Sequence, residues 1–488
     1  MRTNRGRMGR GTLYLMLAHA VYLASSYAIH FGLGRYLGPE AYGTYGVVLA
    51  LMTTVNLFLT TGFPQAASMH IAAGNATLSS VIRSSRRVQT LFTAIVFGLY
   101  LGLSGHIARL LGDAELTPYI RLSAAAVPFY ALYAIYSDGY LNGLREFGKQ
   151  SKAMAFSSIA RLLAVLTLVA LGFGVRGAIL GYLAAAVIGW TLAWWYLGPI
   201  QRDLPSFGVG KILRFGVPAT LFSAMVYLLM SVDLFAVKAF NVGEADTGYY
   251  TAAATVAKVP YFIFGALAST LLPSISRAIS GGDAELTGHY IRQSMRYMLL
   301  LLTPTVLIIS ATSGGLISLV YSADYAETAR PLEILAFGLA CLTVFFVLAH
   351  VVMGSGRPHV AFGLAAAMVA IDIVMNVLLV PRYGLTGAAW ATTVTGLTGM
   401  IAASVYVLAR FKTLVRSLCL LRIGLAAAAV YLIASYASLS PCILPLLYAG
   451  LFILYFGMLA VMREFDDNDV ETLKRMIPLV RFRRMGEQ

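Results

Sequence analysis

Two basic side chains lie well inside long apolar segments of this 488-residue chain, where a charge is costly and usually has a function. Arg161 lies within residues 154–174, and Lys258 lies within residues 249–272. A guanidinium can bind a phosphate through two parallel hydrogen bonds, and an ammonium acts as a point charge. We expect both side chains to face a water-filled cavity and to bind an anionic group. For Arg161, the alternative is that its side chain extends to the lipid headgroups.

Acidic and amide side chains in other apolar segments are suited to bind a cation or a proton. Asp233 lies in the segment that precedes the Lys258 segment, so the two side chains form either an ion pair between helices or an ion-coupling switch. Asp372 and Asn376 are four residues apart and therefore share one helix face. This pair predicts a cation or proton site, and the alternative is a hydrogen bond between helices.

Residues that could open and close a passage form a third group. His30 and Arg35 lie five residues apart at the end of the first apolar segment, where we expect a gate. Pro218 and Pro260 lie inside apolar segments, where a proline can kink a helix that must move. Three further polar residues are expected to form only hydrogen bonds to neighbouring helices, namely His19, Asn56 and Asp138.

Fourteen apolar segments, each about long enough to cross a bilayer as a helix of ~20 residues, position these side chains. The chain is 59% hydrophobic and 12% charged, with a mean hydropathy of +0.77. The sequence therefore predicts an all-α polytopic membrane protein. The predicted spans are 11–34, 42–65, 89–111, 119–142, 154–174, 177–198, 213–237, 249–272, 294–320, 331–353, 359–380, 385–409, 417–437 and 442–462.

The positive charge of the chain is arranged as a topology signal. The formal net charge is +15, and the great majority of the 36 Lys and Arg residues lie at the termini or in the even-numbered connections. Such residues mark the cytoplasmic side of a membrane protein. We therefore expect both termini in the cytoplasm and a multi-pass protein of the cytoplasmic (inner) membrane. A nucleic-acid partner is not expected, because no basic stripe lies on a soluble domain.

The chain also repeats itself with an offset of about 210 residues. The segment Phe173–Ala178 (FGVRGA) matches Tyr383–Ala388 (YGLTGA), and each opens an apolar segment. Helices 1–6 thus correspond to helices 7–12 in the same orientation, a plan that recurs in transporters. We expect two six-helix lobes around a central cavity at 1–200 and 201–410. Two additional helices at 411–463 and a cytoplasmic tail at 464–488 follow.

The segment Gly34–Gly43 (GRYLGPEAYG), followed by Gly62-Phe63-Pro64, resembles the polysaccharide-transporter branch of the MOP (multidrug/oligosaccharidyl-lipid/polysaccharide) exporter superfamily. The resemblance covers about residues 10–460. It implies two six-helix lobes in a V shape, with cationic side chains in the central cavity. It also implies a flippase that exports polyprenyl-diphosphate-linked oligosaccharide by alternating access, for surface polysaccharide biosynthesis. Arg35, inside the first motif, would meet either outer headgroups or the departing diphosphate.

The sequence is also compatible with other functions. A lipid II flippase or an ion-coupled multidrug antiporter of the same superfamily is the main alternative, although Arg161 and Lys258 favour an anionic cargo. A membrane glycosyltransferase or polymerase is less consistent with the short external loops, so we do not expect an enzyme. No cofactor or metal is expected, and proton or sodium coupling is compatible with the acidic residues. Expected partners are lipid-linked oligosaccharide and membrane lipids, and other polysaccharide-assembly proteins are further candidates.

Overall fold

The computed structural model describes residues 2–74, 77–199, 207–240, 242–281, 283–437 and 440–465, and within these ranges it contains helices and no strand. The helices of the first half are α1 (Arg2–Thr60), α2 (Phe63–Ala73), α3 (Leu78–Gly102), α4 (Ser104–Leu110), α5 (Leu116–Ala124), α6 (Val127–Ala134), α7 (Phe147–Leu168) and α8 (Gly174–Leu197). Those of the second half are α9 (Val209–Leu229), α10 (Val232–Ala239), α11 (Asp246–Ala257), α12 (Val259–Ser280), α13 (Ala284–Ala311), α14 (Ser313–Val320), α15 (Ala329–Gly354) and α16 (Pro358–Phe411). The last helices of the described residues are α17 (Ser417–Tyr436) and α18 (Leu444–Val461).

Several of these helical runs cross the membrane more than once. The runs Leu13–Ala73, Phe147–Leu197 and Pro358–Phe411 contain 61, 51 and 54 residues. At 1.5 Å per residue they would be about 76–92 Å long, far more than a ~30 Å hydrocarbon core. Each is divided at a glycine. In α1 the division is at Gly38, whose φ of 73° is unfavourable for other residues, and Pro39 follows with no backbone N–H to donate.

Other crossings consist of two or more helices in succession. The axes of α3 and α4 differ by 54°. A π-helix at Ile135–Leu141 continues α6, and a second π-helix at Val169–Phe173 continues α7. The second half contains the broken pairs α9–α10, α11–α12 and α13–α14. Counted with these breaks, the helices of the described residues are consistent with fourteen crossings, and the predicted all-α membrane fold is confirmed.

Contacts between connections define two ends of the molecule. At the Gly38 end, Lys238 pairs with Asp113, and Arg35 bonds to Tyr321. The opposite end, which we call the Arg145 end, contains the connections at residues 142–147, 355–357 and 412–416. Most of the basic residues belong to the Arg145 end.

The two halves contact one another mainly through α1 with α11 and through α2 with α9. Small residues allow this approach. A Cβ on Gly248 would overlap the Pro39 carbonyl, and a Cβ on Gly43 would lie 2.6 Å from the Gly248 nitrogen. Close backbone contact of this kind replaces the hydrophobic effect as a source of helix association in a bilayer. The halves therefore make close backbone contacts near the Gly38 end, and a Cβ on Gly62 would likewise overlap the Gly216 carbonyl oxygen of α9.

The last two helices form a separate layer. α17 packs against both α13 and α18, and a buried apolar cluster that includes Ile423, Val430 and Tyr455 lies between them. Glu464, just after α18, accepts hydrogen bonds from Arg296 on α13 and Arg422 on α17. The predicted tail at 464–488 lies outside the described residues from position 466 onward.

Candidate functional site

Two adjoining cavities lie inside the helical bundle. The first, which we call the N-terminal chamber, has a volume of about 660 Å³, and the first half of the chain supplies its walls apart from Tyr227. The second, the interlobe chamber, has a volume of about 200 Å³ and lies between the two halves. Both are bordered by the same five residues, which mark where the chambers meet: Tyr22, Thr53, Arg161, Tyr182 and Tyr227.

Arg161 stands at this junction. Helix α7 carries it, and its guanidinium carbon lies 4.6 Å from the ring centroid of Tyr22 and 5.3 Å from that of Tyr182. One terminal nitrogen donates to the Tyr22 carbonyl at 3.5 Å. The buried Nε has no hydrogen-bond partner among the described residues. The aromatic faces stabilise the cation while leaving donors for a ligand in the chambers.

Lys258 borders the interlobe chamber at the break between α11 and α12. Its Nζ donates a 2.7 Å hydrogen bond to the carbonyl of Met230, which lies at the break between α9 and α10. The interrupted helix leaves that carbonyl without its usual partner, and the ammonium satisfies it. Among the described residues, no carboxylate lies within ion-pair distance of Lys258. The structure therefore does not pair Lys258 with Asp233.

Asp233 belongs to a different group of side chains, buried in the second half. It accepts hydrogen bonds from Tyr250 Oη at 2.7 Å and from Thr392 Oγ1 at 3.2 Å. Asp372 Oδ1 accepts from Thr395 Oγ1 and from Asn376 Nδ2, both at 3.3 Å. We call this group the C-terminal polar cluster, and its members are Asp233, Tyr250, Asp372, Asn376, Thr392 and Thr395.

Two oxygens in the C-terminal polar cluster lack partners. Asp372 Oδ2 and Asn376 Oδ1 are buried and accept no hydrogen bond from the described residues. Their residues are at most 1% exposed, and neither borders a chamber. Unsatisfied acceptors of this kind are costly, and a cation or a proton would satisfy them. No group of three or more His, Cys, Asp or Glu suited to a metal ion occurs in the described ranges, so any cation would depend on hydroxyl and amide oxygens as well.

The Gly38 end is closed by hydrogen bonds between the halves. Arg35 Nε donates to the Tyr321 carbonyl at 2.6 Å, and its terminal nitrogen donates to the Leu319 carbonyl. These carbonyls lie at the C-terminal end of α14, where a cation is favoured. Tyr325 Oη donates to the Gly34 carbonyl at 2.8 Å. Arg35 thus lies outside both chambers, in a latch between α1 and α14.

The remaining predicted gate residues lie beside the interlobe chamber or inside the helices α9 and α12. His30 borders the interlobe chamber, and its Nδ1 is 2.9 Å from Tyr42 Oη, which is 3.1 Å from Tyr321 Oη. Pro218 lies inside α9, and Pro260 is the second residue of α12, directly after the break at Lys258. Neither proline borders a chamber, and only Pro260 lies next to a break between helices.

Three residues that the sequence predicts only to bond to neighbouring helices also border the N-terminal chamber, namely His19, Asn56 and Asp138. The predicted bond is present for Asp138, which accepts from Gln150 on α7. The tyrosines around Arg161 were not singled out at all. The signal that could have found them is helical spacing, because Tyr130, Tyr133 and Asp138 recur every three to five residues along one crossing.

Residues 33–330 match a family model described as "Polysaccharide biosynthesis protein". A putative O-antigen transporter of Shigella flexneri is 23% identical over 378 residues, which cover 73% of this chain and 87% of that protein. Among solved structures, the lipid II flippase MurJ in an inward closed conformation superposes with a TM-score of 0.76 at 14% identity, covering 93% of this chain and 98% of that one. An inward-facing MATE multidrug transporter of the MOP superfamily superposes with a TM-score of 0.68 at 17% identity. The superposition covers 80% of this chain and 94% of that one.

Proposed function

The chain belongs to the polysaccharide biosynthesis protein family of MOP-superfamily membrane transporters, and from this premise we propose that it is a flippase for polyprenyl-diphosphate-linked oligosaccharide. The cargo would cross the cytoplasmic membrane for surface polysaccharide biosynthesis. The relative in Shigella flexneri is named for O-antigen, a surface polysaccharide, which supports this class of cargo.

The observation that carries the proposal is the pair of cations on the chambers. Arg161 and Lys258 both border the interlobe chamber, and neither forms an ion pair with a carboxylate among the described residues. Two unpaired cations inside a membrane bundle are expensive unless an anion is bound there in function. A diphosphate supplies that anion. Arg161 would bind it through two nitrogens, and Lys258 would exchange the Met230 carbonyl for a phosphate oxygen.

We propose that transport proceeds by alternating access between two lobes at 1–200 and 201–410, with helices 411–463 as an addition. The latch formed by Arg35 would keep the Gly38 end closed while cargo enters. The arrangement of basic residues favours a cytoplasmic Arg145 end, with both termini in the cytoplasm. The breaks at Met230, between α9 and α10, and at Lys258, between α11 and α12, would act as hinges. They lie between the wall of the interlobe chamber and the contact of α11 with α1.

We further propose that the C-terminal polar cluster couples transport to a proton or sodium gradient. Its free oxygens, Asp372 Oδ2 and Asn376 Oδ1, are suited to such an ion. Asp233 belongs to this cluster and lies in α10, close to the proposed hinge at Met230. Occupation of the cluster would therefore bias the position of α10.

The alternatives differ in cargo charge. A multidrug antiporter for cationic compounds would require acidic groups on the chambers, and Asp138 is the one acidic residue among those that border them. A lipid II flippase would use the same diphosphate chemistry, so the cations alone do not separate it from the proposed function. Cargo competition in the assay below makes that distinction.

The test measures cargo movement in proteoliposomes, with a polyprenyl-diphosphate oligosaccharide as substrate. We expect Arg161→Ala and Lys258→Ala each to reduce transport at least tenfold. Exposed cations provide matched controls, since Arg330 and Lys149 lie outside the chambers in pairs with Glu333 and Glu146. Arg330→Ala and Lys149→Ala should transport like the wild type. Transport that survives both chamber substitutions would contradict the proposed site, and stronger inhibition by lipid II than by the oligosaccharide would favour the alternative.

A further inference from the structure

We propose that the N-terminal chamber contains a carbohydrate subsite in which Asp138 and its hydrogen-bonded amides bind the hydroxyl groups of the sugars next to the diphosphate. The inference rests on the proposed function, because it takes the anionic group of the cargo to lie at Arg161. It adds a site in the protein that would distinguish one glycan from another. Four features of the chamber carry it.

The first feature is a polar stripe along α7. Gln150, Ser157, Ser158 and Arg161 all border the N-terminal chamber. Their spacing of seven, eight and eleven residues keeps them on one face of the helix. Gln150 and Arg161 are three turns apart, which corresponds to about 16 Å at 1.5 Å per residue. A ligand with its anionic group at Arg161 would therefore extend along this stripe toward the Arg145 end.

The second feature is a chain of side-chain hydrogen bonds at the far end of that stripe. Gln150 Nε2 donates to Asp138 Oδ1 at 3.0 Å, and Asn142 Nδ2 donates to Gln150 Oε1 at 3.2 Å. Ser68 Oγ donates to Asn142 Oδ1 at 3.0 Å. Each amide is oriented by the next one, which leaves Asp138 Oδ2 outside the chain as an acceptor. Pre-oriented acceptors and donors of this kind suit a ligand with several hydroxyl groups.

The third feature is the position of Asp138 itself. It lies in the π-helix Ile135–Leu141, a rare element that is frequent at functional sites. Its side chain is exposed to the chamber, and it forms no ion pair among the described residues. An unpaired carboxylate inside a membrane bundle needs a polar ligand or water. Neutral hydroxyl groups provide that ligand, whereas a uronic acid would be repelled.

The fourth feature is the rest of the chamber wall. Tyr22, Tyr130, Tyr133 and Tyr227 border the chamber, and aromatic rings offer apolar faces next to polar hydroxyl groups. Asn56 also borders it, is only 8% exposed, and has an Oδ1 with no partner in the described part of the chain. The volume of about 660 Å³ lies within the usual range of ligand sites, ~300–1,000 Å³. Apolar faces beside a few fixed polar groups match the two-sided surface of a sugar ring.

The test compares binding of lipids with and without a sugar to the full-length protein in nanodiscs. The probes are polyprenyl diphosphate and the same lipid carrying one glucose, galactose or N-acetylglucosamine. We expect at least one sugar to tighten binding to the wild type about tenfold, or about 1.4 kcal/mol. Asp138→Asn, which keeps the shape of the side chain, should remove that gain while leaving the affinity for polyprenyl diphosphate unchanged. Arg161→Ala should weaken binding of all four lipids.

Asp324→Asn is the matched control, because this exposed aspartate lies in the 323–328 turn, away from both chambers. It should preserve the sugar-dependent gain. Equal affinity of the wild type for all four lipids would overturn the subsite while leaving the diphosphate site in place. Equal weakening of all four lipids by Asp138→Asn would overturn it as well. A folded wild type that binds none of the four lipids would contradict the proposed function itself. A thermal melt of each variant separates loss of binding from loss of folding.

Discussion

The ammonium of Lys258 donates a 2.7 Å hydrogen bond to the carbonyl of Met230, and each residue lies at a break in a membrane-crossing helix. One side chain thus joins the α9–α10 break to the α11–α12 break on the wall of the interlobe chamber. A diphosphate that attracts Lys258 would compete with this bond. The arrangement offers a direct physical link between cargo binding and the geometry of two helices.

We expect the charge of Lys258, and not only its hydrogen bond, to be required for transport. Lys258→Gln can still donate to the Met230 carbonyl, so it should fold well, but it should lose at least tenfold in transport because the cation is gone. Lys258→Arg should retain part of the activity. Measurement of initial transport rates in proteoliposomes beside thermal stability tests this. If Lys258→Gln transports normally, the residue has a structural role alone.

A second prediction concerns closure of the Gly38 end. Arg35→Gln removes the cation that bonds to the carbonyls of Leu319 and Tyr321, so we expect the end to open more often. Cysteines introduced near this end should then react faster with a water-soluble thiol reagent. The control is Arg176→Gln, since Arg176 lies over the Tyr119 ring within the first half and does not bridge the halves. Equal reactivity in Arg35→Gln and the wild type would argue against a latch.

The ion pair between Lys238 and Asp113, with its atoms 2.7 Å apart, allows a third test at the same end. Asp113→Lys places two cations together and should increase opening of the Gly38 end. The double variant Asp113→Lys, Lys238→Asp restores opposite charges and should return reactivity toward the wild-type value. A double variant as open as Asp113→Lys would show that this pair does not control closure. Exposed pairs are weak, but both side chains here are mostly buried, so the effect should be measurable.

The sequence was sufficient to predict the membrane fold because hydropathy is a property of consecutive residues. The lengths of the apolar segments predict fourteen crossings, and the helices of the described residues are consistent with that number. The charges of Arg161 and Lys258 also predict a cavity, because an apolar segment tolerates few such residues, and both side chains border the interlobe chamber.

Pairing between distant segments could not be predicted in the same way. Arg35 bonds to a carbonyl 286 residues further along the chain, and no local pattern indicates that acceptor. Asp233 and Lys258 lie on neighbouring crossings and have opposite charges, yet their side chains bond to different partners. The sequence places Asp138 close to the inner end of its helix, which predicts only a bond to a neighbouring helix. It does not show that Asp138 faces a cavity, because the cavity depends on how α7 packs against the Ile135–Leu141 π-helix.

A fourth prediction addresses ion coupling at the C-terminal polar cluster. Asp372→Asn keeps the size of the side chain but removes the charge beside the free Asn376 oxygen. We expect transport driven by a sodium or proton gradient to fall to the rate measured without a gradient, while affinity for polyprenyl diphosphate is retained. Asp283→Asn is the control, because this aspartate caps α13 through Leu286 and lies outside the cluster. Gradient-driven transport that persists in Asp372→Asn would exclude the cluster as the coupling site.

The last prediction concerns attachment of the final two helices, which depends on Glu464. Burial tends to raise the pKa of this carboxyl group, but hydrogen bonds from Cys419, Arg296 and Arg422 outweigh it and lower the pKa below its ordinary value of 4.5. A carboxylate with a lowered folded-state pKa stabilises the fold above its unfolded pKa, and this contribution is lost as pH falls through the folded-state value. Thermal stability should therefore be steady between pH 7 and roughly 5 and decrease below that range.

Glu464→Gln should remove the ion pairs at every pH and lower stability at neutral pH by roughly 1.5–3 kcal/mol, the usual contribution of hydrogen bonds to a charged group. Its stability should also vary less with pH below 5 than that of the wild type. Glu333→Gln serves as the control, because Glu333 pairs with an exposed arginine near the start of α15. Thermal unfolding in detergent across pH 3.5–7 measures both effects. An identical acid profile in Glu464→Gln and the wild type would show that other groups govern the loss of stability in acid.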